Sequence, residues 1–180
     1  LIGQFLHSYL VAQRGEELLM IDQHAAHERV LYHALTADGP GRKSSQLTIP
    51  LTLELPPAWC GRLEAIRPLL DEFGFKLEPF GDNSYILRAV PFSIREGGDT
   101  GIYALLEELL QEEPEPGGES RERILKTIAC HRAVKARQPL SRAEAEQLLR
   151  DWEKTPGAVC CPHGRPAVLK FHRDELDKGF

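Results

Sequence analysis

The pattern of apolar and polar positions at the start of the chain predicts a hairpin followed by a helix. Gln4–Ala12 is rich in strand-forming residues, Gly15 lies in a turn, and residues 18–21 form a continuous apolar run. A short apolar run bounded by a turn is typical of a buried strand. We predict that this second strand ends at Asp22. Apolar residues then recur at helical spacing over Ala25–Leu35.

Prolines and glycines divide the middle of the chain. Pro57 is suited to begin a helix and Gly74 to end it, with a kink or break expected at Pro68. The other elements predicted here are a loop at 38–45, strands at 47–55, 75–78 and 84–89, a helix at 102–111 and an acidic connector at 112–119.

The C-terminal part reads as two helices, a strand and a short final helix. Ser120 is predicted to cap the first helix, and Ser141 with Glu144 matches a capping box that starts the second. The strand spans Ala167–Phe171. These elements give an α+β fold. We predict a terminal core of mixed sheet and helices, from residues 1–55 and 119–180, and an inserted α/β subdomain at 56–118.

Composition places the chain among globular proteins. It has 180 residues, 42% hydrophobic and 27% charged, which suits one domain or two small subdomains. There is no signal peptide and no apolar run of about 20 residues, so we expect a cytoplasmic protein. Four cysteines then predict thiols or metal ligands, not disulfides. Because it begins at Leu1, we expect a fragment of a longer protein.

The net charge of −5 argues against strong DNA binding by this chain alone. Neutralisation of phosphates by basic residues supplies most non-specific affinity for DNA. If the chain is a nuclease, we expect another protein to deliver it.

The segment Asp22–Glu28 (Asp-Gln-His-Ala-Ala-His-Glu) is the first with unusual chemistry. His24 and Glu28 are four residues apart, so they share one face of a helix. Together with Asp22 they can hold a divalent cation. The alternative is a solvated helix N-terminus, where acidic residues are favoured by the helix dipole.

Two further segments carry cysteine and histidine. Around Cys130, a buried thiol beside solvated Arg132 and Lys135 is the simpler interpretation. Cys161-Pro162-His163-Gly164-Arg165-Pro166 is a stiff loop, for which metal ligation is favoured over a structural turn with a free thiol.

The three segments together offer ligand types that suit zinc and ligand types that suit Mn²⁺ or Mg²⁺. The candidate ligands are Asp22, His24, Glu28, Cys130, Cys161 and His163. The zinc-protease order H-E-x-x-H is absent, as are a P-loop and a glycine-rich dinucleotide fingerprint.

These motifs resemble those of the MutL proteins of DNA mismatch repair. Residues 22–28 resemble the endonuclease signature D-Q-H-A-x-x-E, and residues 129–131 resemble the motif A-C-[RKH]. Residues 161–166 match C-P-H-G-R-P, and residues 171–173 look like F-x-R. The motifs occur in the family's order, and this co-occurrence is more specific than any one of them.

The chain departs from the family pattern at His33, where the signature continues with a second Glu. A carboxylate is therefore missing, and activity or metal preference is expected to differ. A second, weaker similarity is to a sliding-clamp-binding peptide of the form Q-x-x-[LI]-x-P. Gln46, Leu47, Ile49 and Pro50 resemble it, with Gln46 one residue too close to the proline.

The resemblance implies a homodimer formed through the terminal-core sheet, with the inserted subdomain in a regulatory role. It implies a Zn²⁺- and Mn²⁺- (or Mg²⁺-) dependent endonuclease that nicks double-stranded DNA, with Asp22, His24 and Glu28 as catalytic residues. Phosphate contacts would come from Arg132, Lys135 and Arg165. Phe171 and Arg173 would complete the partner's site.

Further partners implied by the resemblance are a sliding clamp and, through the full-length protein, a MutS-type mismatch-recognition protein on the nucleoid. ATP binding would belong to the missing N-terminal part.

Two other functions remain open on the residues alone. The first is a non-catalytic dimerisation and partner-docking module with a structural zinc, which His33 and the acidic charge favour. The second is a thiol-redox protein. It is disfavoured because C-x-x-C is absent and Cys160-Cys161 has the wrong spacing.

Overall fold

The N-terminal segment forms two strands where the sequence predicts one. The computed structural model describes residues 1–37, 44–91, 98–111 and 118–180. In it, β1 (Gly3–Phe5) pairs antiparallel with β2 (Tyr9–Arg14). Leu6 and His7 in the connecting turn have positive φ angles of 52° and 50°. Residues other than glycine rarely adopt this conformation. Because the turn contains neither glycine nor proline, the sequence gives no sign of it.

The chain divides into two compact units, Leu1–Ala34 with Ala133–Phe180, and Leu35–Arg132. The elements of the first unit, besides β1 and β2, are β3 (Glu17–Asp22), the start of α1 (Gln23–Ala37), α5 (Arg142–Lys154), β7 (Val168–His172) and α6 (Arg173–Asp177). Those of the second are β4 (Ser44–Glu54), α2 (Pro57–Glu72), β5 (Lys76–Pro79), β6 (Ser84–Pro91), α3 (Gly98–Gln111) and α4 (Gly118–Arg132). The α+β class is confirmed.

The first unit contains a four-stranded sheet of order β1-β2-β3-β7. Each pair is antiparallel, so the sheet is not mixed as predicted. Tight turns join β1 to β2 and β2 to β3, which forces these strands to alternate in direction. Gly15 forms the second turn with φ +60°. β7 then returns antiparallel beside β3.

The two faces of this sheet differ in exposure. One face packs into the core against α1 and α5; its members are Leu10, Ala12, Leu19 and Ile21, with Ala26, Ala145, Leu148 and Trp152 from the helices. Side chains alternate along a strand, so the intervening residues lie on the opposite face. The apolar ones there, called the outer face from here on, are Phe5, Tyr9, Val11, Leu18, Met20, Leu169 and Phe171. Phe5 and Leu169 are 52% and 55% exposed.

The second unit contains a three-stranded antiparallel sheet of order β4-β6-β5 with helices. The predicted break at Pro68 does not occur. α2 runs through it because buried Leu63, Ile66 and Leu70 hold both halves of the helix in the core. The helix ends beside Gly74, as predicted, where φ is +93°.

Four sequence predictions concern the second unit: a loop, a helix cap, an acidic connector and an inserted subdomain. β4 starts at Ser44, so Ser44 and Ser45 are strand and not loop, while residues 38–43 lie outside the described residues. Ser120 does not cap α4, because this helix already begins at Gly118. Residues 112–117 of the acidic connector also lie outside the described residues. The inserted regulatory subdomain at 56–118 stays a prediction.

The capping box predicted for α5 is confirmed. The Ser141 hydroxyl accepts a hydrogen bond from the Glu144 N–H, and the Glu144 carboxylate accepts one from the Ser141 N–H at 2.7 Å. Among the described helices, none is long and apolar enough to cross a membrane.

Candidate metal centre

The first motif lies where β3 passes directly into α1. Asp22 ends the strand, and its Oδ1 accepts a hydrogen bond from the Ala25 N–H at 3.0 Å. This side chain therefore satisfies one of the free N–H groups at the helix start. Ala25 and Ala26 are buried, and their small size lets the helix pack closely. The motif is thus fixed by a cap and by two small core residues.

Glu28 lies one turn into α1 and is 3% exposed. Its Oε1 atom is buried, and no described group makes a hydrogen bond to it. The Nδ1 atom of His163 lies 2.9 Å away, which is close enough for an ion pair, but the pair does not have hydrogen-bond geometry. A buried carboxylate oxygen without a donor is costly, so this site calls for a cation.

The loop that carries Cys161 and His163 is a tight turn between two anchored ends. Cys160 and Pro166 form an antiparallel bridge, and the Cys161 N–H donates to the Arg165 carbonyl at 2.8 Å. Within the turn, the Gly164 N–H donates to the Cys161 carbonyl at 2.9 Å. Gly164 has φ +82°, a conformation that favours glycine.

The Cys161 side chain points into the protein, 2% exposed, against Ala25 and Ala167. His163 stands at the exposed side of the same turn. One ligand atom each from Glu28, Cys161 and His163 lies within 4.8 Å of the other two. Carboxylate, thiolate and imidazole are the three ligand types of zinc, and three protein ligands leave a position for water or substrate. The residues present therefore fit a metal ion.

His24, another predicted ligand in this unit, is oriented by a backbone carbonyl. Its Nδ1 lies 2.9 Å from the carbonyl oxygen of Val134, which only accepts, so Nδ1 carries the proton. The other ring nitrogen then has its lone pair for a ligand, as in many metal-binding histidines. The roles predicted for Asp22 and His24 stay predictions, since neither belongs to the three-residue group.

Sequence reasoning missed His27 and Gln23. The Val134 N–H donates to His27 Nδ1 at 3.0 Å. His24 and His27 therefore bind the carbonyl and the N–H of the same residue. Gln23 is fully buried, and its amide donates to the carbonyls of His7, Lys135 and Gln138. No sequence pattern marks this role, because a polar residue at the first position of a helix is usually solvated.

Gln23 also accepts a short hydrogen bond from the side chain of Gln4. The segment 134–138 is therefore held against the start of α1 by side chains of the first motif. Lys135 is exposed, and its N–H donates to the side chain of Gln138. The side chain of Arg165 is exposed at the tip of the Cys161–Pro166 loop.

Cys130 and Arg132 lie at the end of α4, in the second unit. Their predicted roles in metal and phosphate binding stay predictions. His33 is five residues after Glu28 on α1, about 140° around the helix axis. A side chain at position 33 therefore leaves the helix in a different direction from Glu28.

Phe171 and Arg173 lie at the end of β7 and the start of α6. Phe171 pairs with Leu18 on the outer face. The Arg173 guanidinium lies 3.7 Å from the Glu16 carboxylate and 3.3 Å from that of Asp177. The backbone N–H of Arg173 donates to the Glu16 carbonyl at 2.9 Å. Completion of a partner's site by these residues stays a prediction.

The four residues of the predicted clamp peptide lie on β4, in the second unit. Gln46 pairs with Ala89 and Leu51 pairs with Leu87, so β4 has more residues than β6 across this interval. The register shift leaves residues 47–50 as a bulge. Ile49 within it is 76% exposed.

The sequence is similar to known proteins over nearly all of its length. Residues 2–140 match the family described as the MutL C terminal dimerisation domain. The chain is 40% identical over 184 residues to the DNA mismatch repair protein MutL of Heliobacterium modesticaldum, covering 99% of the chain and 28% of that protein.

Two further relatives bear the same name. The protein of Syntrophobacter fumaroxidans is 36% identical over 180 residues, with 99% of the chain and 27% of the relative covered. That of Methanoculleus marisnigri is 37% identical over 182 residues, with 99% and 31% covered. The chain thus spans less than a third of the length of these relatives.

Proposed function

The chain belongs to the MutL C-terminal dimerisation domain family, and we propose that it is a metal-dependent endonuclease that nicks double-stranded DNA as a homodimer. The observation that carries the proposal is the group of Glu28, Cys161 and His163. It contains a buried carboxylate oxygen that accepts no hydrogen bond from the described residues.

A divalent ion in this group supplies Lewis acidity, which lowers the pKa of a bound water and neutralises charge on the scissile phosphate. Glu28, Cys161 and His163 would hold Zn²⁺, and Cys130 stays a ligand predicted from the sequence motif alone. Asp22 and His24 offer the oxygen and nitrogen atoms that Mn²⁺ or Mg²⁺ accepts, beside Glu28.

The chain's basic residues contribute by holding DNA. Arg132, Lys135 and Arg165 contact phosphates, Arg165 from the metal-site loop itself. Phosphate contacts position a duplex without reading its sequence, so nicking is expected at many sequences. The net charge of −5 keeps intrinsic affinity for DNA low, which suits an enzyme brought to its substrate by other proteins.

A nicking assay on supercoiled plasmid with Mn²⁺ tests this function. Asp22→Asn is the informative variant, because asparagine retains the helix cap while the ligand charge is lost. Asp151→Asn, on the surface of α5, makes the same charge change away from the site. The parent and Asp151→Asn are expected to nick and Asp22→Asn is not. Equal nicking by Asp22→Asn contradicts the proposal.

The second candidate is a dimerisation and partner-docking module with a structural zinc. The buried thiol of Cys161 favours it, since thiolates are common in structural zinc sites, and His33 replaces a family carboxylate. This candidate predicts bound zinc together with no nicking by the parent at any Mn²⁺ concentration.

The outer face supports the homodimer. Seven apolar side chains line it, of which Phe5, Tyr9 and Leu169 are exposed and the others partly buried. An apolar surface of this kind is typical of an interaction site. A second copy of the chain packed on this face would cover residues such as Phe5 and Leu169. In the dimer, Phe171 and Arg173 would extend toward the partner's site.

Residues 46–50 support a second partner, a sliding clamp. An exposed Ile49 in a bulge can enter an apolar pocket without unfolding β4. Ile49→Asp is expected to abolish binding to a purified clamp and leave the dimer intact. Unchanged binding contradicts the assignment. A MutS-type protein and ATP would act through the full-length protein, in the cytoplasm at the nucleoid.

A further inference from the structure

Arg29 follows Glu28 on α1, and its guanidinium reaches the loop that carries Cys161 and His163. Its Nε donates to the Cys160 carbonyl at 2.7 Å, and its Nη2 donates to the Cys161 carbonyl at 2.8 Å. Two parallel hydrogen bonds from a planar group fix both distance and orientation. The residues joined are 131 and 132 positions apart in the sequence.

The Cys161 carbonyl receives two hydrogen bonds. One comes from the Gly164 N–H and closes the turn that presents His163; the other comes from Arg29. The carbonyl has two lone pairs, and both are used. Arg29 therefore binds the same carbonyl oxygen that closes the turn.

The Tyr32 side chain, one turn further along α1, restricts the guanidinium. The central carbon of the Arg29 guanidinium lies 5.9 Å from the centre of the Tyr32 ring, within the range of a cation–π contact. An arginine held in this way loses less conformational entropy when it binds its carbonyl partners.

Adjacent residues of a helix point about 100° apart, so Glu28 and Arg29 have different tasks. Glu28 presents its carboxylate to the metal, and Arg29 holds the loop whose two ligands must meet that carboxylate. Ligand distances in metal sites vary by only about 0.2 Å, so a loop that shifts loses affinity.

We infer that Arg29 is a positioning residue of the metal centre, which fixes the Cys161–Gly164 turn to α1 so that Cys161 and His163 meet Glu28. The inference rests on the proposed function in requiring a metal at this group. It states that metal affinity depends on Arg29, a residue that is not itself a ligand.

Titration with Co²⁺ tests the inference, because cobalt bound by a thiolate absorbs visibly and reports ligand geometry. The variants are Arg29→Met, Arg29→Lys and the control Arg142→Met, which removes the same charge from an exposed ion pair on α5. Loss of a group that orients metal ligands typically weakens affinity by about 10- to 100-fold. We expect that loss and a changed spectrum for Arg29→Met, an intermediate affinity for Arg29→Lys, and parental values for Arg142→Met.

The unfolding temperature of each metal-free protein separates positioning from simple stability. A lower unfolding temperature of Arg29→Met with parental Co²⁺ affinity and spectrum overturns the inference and leaves the proposed function standing. No Co²⁺ binding by the folded parent overturns both. If Arg29→Met does not fold, Arg29→Lys decides: weaker affinity supports the inference, and parental affinity overturns it.

Discussion

The Nδ1 atom of His163 lies 2.9 Å from the Oε1 atom of Glu28, and that oxygen accepts no hydrogen bond from any described group. The two residues are 135 positions apart in the sequence, on different elements of one compact unit. Burial of a carboxylate oxygen that accepts no hydrogen bond is unfavourable for the bare protein, and a bound cation would offset that cost.

Glu28→Gln is expected to weaken metal binding and stabilise the metal-free protein. The substitution removes the ligand charge and the buried carboxylate, whose Oε1 accepts no hydrogen bond from the described residues, while keeping the side-chain shape. Burial costs a charged group more than a neutral amide, so the gain in metal-free stability is expected to be on the order of 1 kcal/mol. Loss of a group that only orients a metal ligand typically weakens metal affinity by roughly 10- to 100-fold. Because Glu28 is itself a proposed ligand, its loss should weaken Zn²⁺ affinity by more. Calorimetry with and without Zn²⁺ checks both effects, and parental affinity combined with lower metal-free stability would refute them.

Gln23→Leu is expected to destabilise the chain by about 2–3 kcal/mol, because three partly buried carbonyls lose their donor. Gln23→Glu should also be destabilising, since a carboxylate has no N–H to donate at neutral pH. Gln147→Leu, at an exposed position of α5, is the control, expected within about 0.5 kcal/mol of the parent. Urea denaturation measures all three. A Gln23→Leu protein as stable as the control would show that these bonds contribute little.

The capping box of α5 predicts a pH-dependent stability. Hydrogen bonds from Ser141, through its side chain and then its backbone, hold the pKa of Glu144 below its usual 4.5. Since the pKa is lower in the folded state, the contribution is present above the unfolded value and is lost as pH falls through the folded value. The parent should therefore unfold at a higher temperature than Glu144→Ala at pH 7, and the difference should shrink in acid.

The control for this measurement is Glu153→Ala, at the other end of α5, where the helix dipole does not favour a carboxylate. The difference in unfolding temperature between Glu153→Ala and the parent should not shrink in acid, whereas the difference for Glu144→Ala should. A Glu144→Ala difference that is constant from pH 7 to pH 3 would contradict the assigned cause.

Leu169→Lys is expected to weaken the dimer. Leu169 is 55% exposed on the outer face, on edge strand β7 opposite Met20 of β3, and a lysine charge there would be left unpaired in the interface. Val159→Lys introduces the same group at a residue 52% exposed but off the sheet. Analytical ultracentrifugation should give a larger monomer fraction for Leu169→Lys alone. Identical dimer fractions for the two variants would exclude this face.

Local patterns in the sequence predict much of the fold. The apolar run that becomes β3, the helical spacing of α1 and the capping box of α5 each depend on residues close in sequence, and each is found as expected. The turn at Leu6–Ser8 was missed because two non-glycine residues adopt positive φ there without a local signal. Its conformation depends on tertiary contacts, among them the Gln23 amide on the His7 carbonyl.

The residues of the candidate site also differ in whether the sequence identifies them. Glu28, Cys161 and His163 are identifiable from motif chemistry, and the fold brings their ligand atoms together. Arg29 and Gln23 are not identifiable, because their partners are backbone carbonyls, most of them more than 100 residues away. Backbone carbonyls are the same at every residue, so no sequence pattern distinguishes the ones that these side chains bind.

Metal content tests the central claim most directly. The chain is purified without added metal, and its zinc is measured beside that of a Cys161→Ala, His163→Ala double variant of equal secondary structure. The account predicts near-stoichiometric zinc in the parent and its loss in the variant. A folded parent without zinc, or a double variant that retains it, would contradict the claim that these residues form a metal centre.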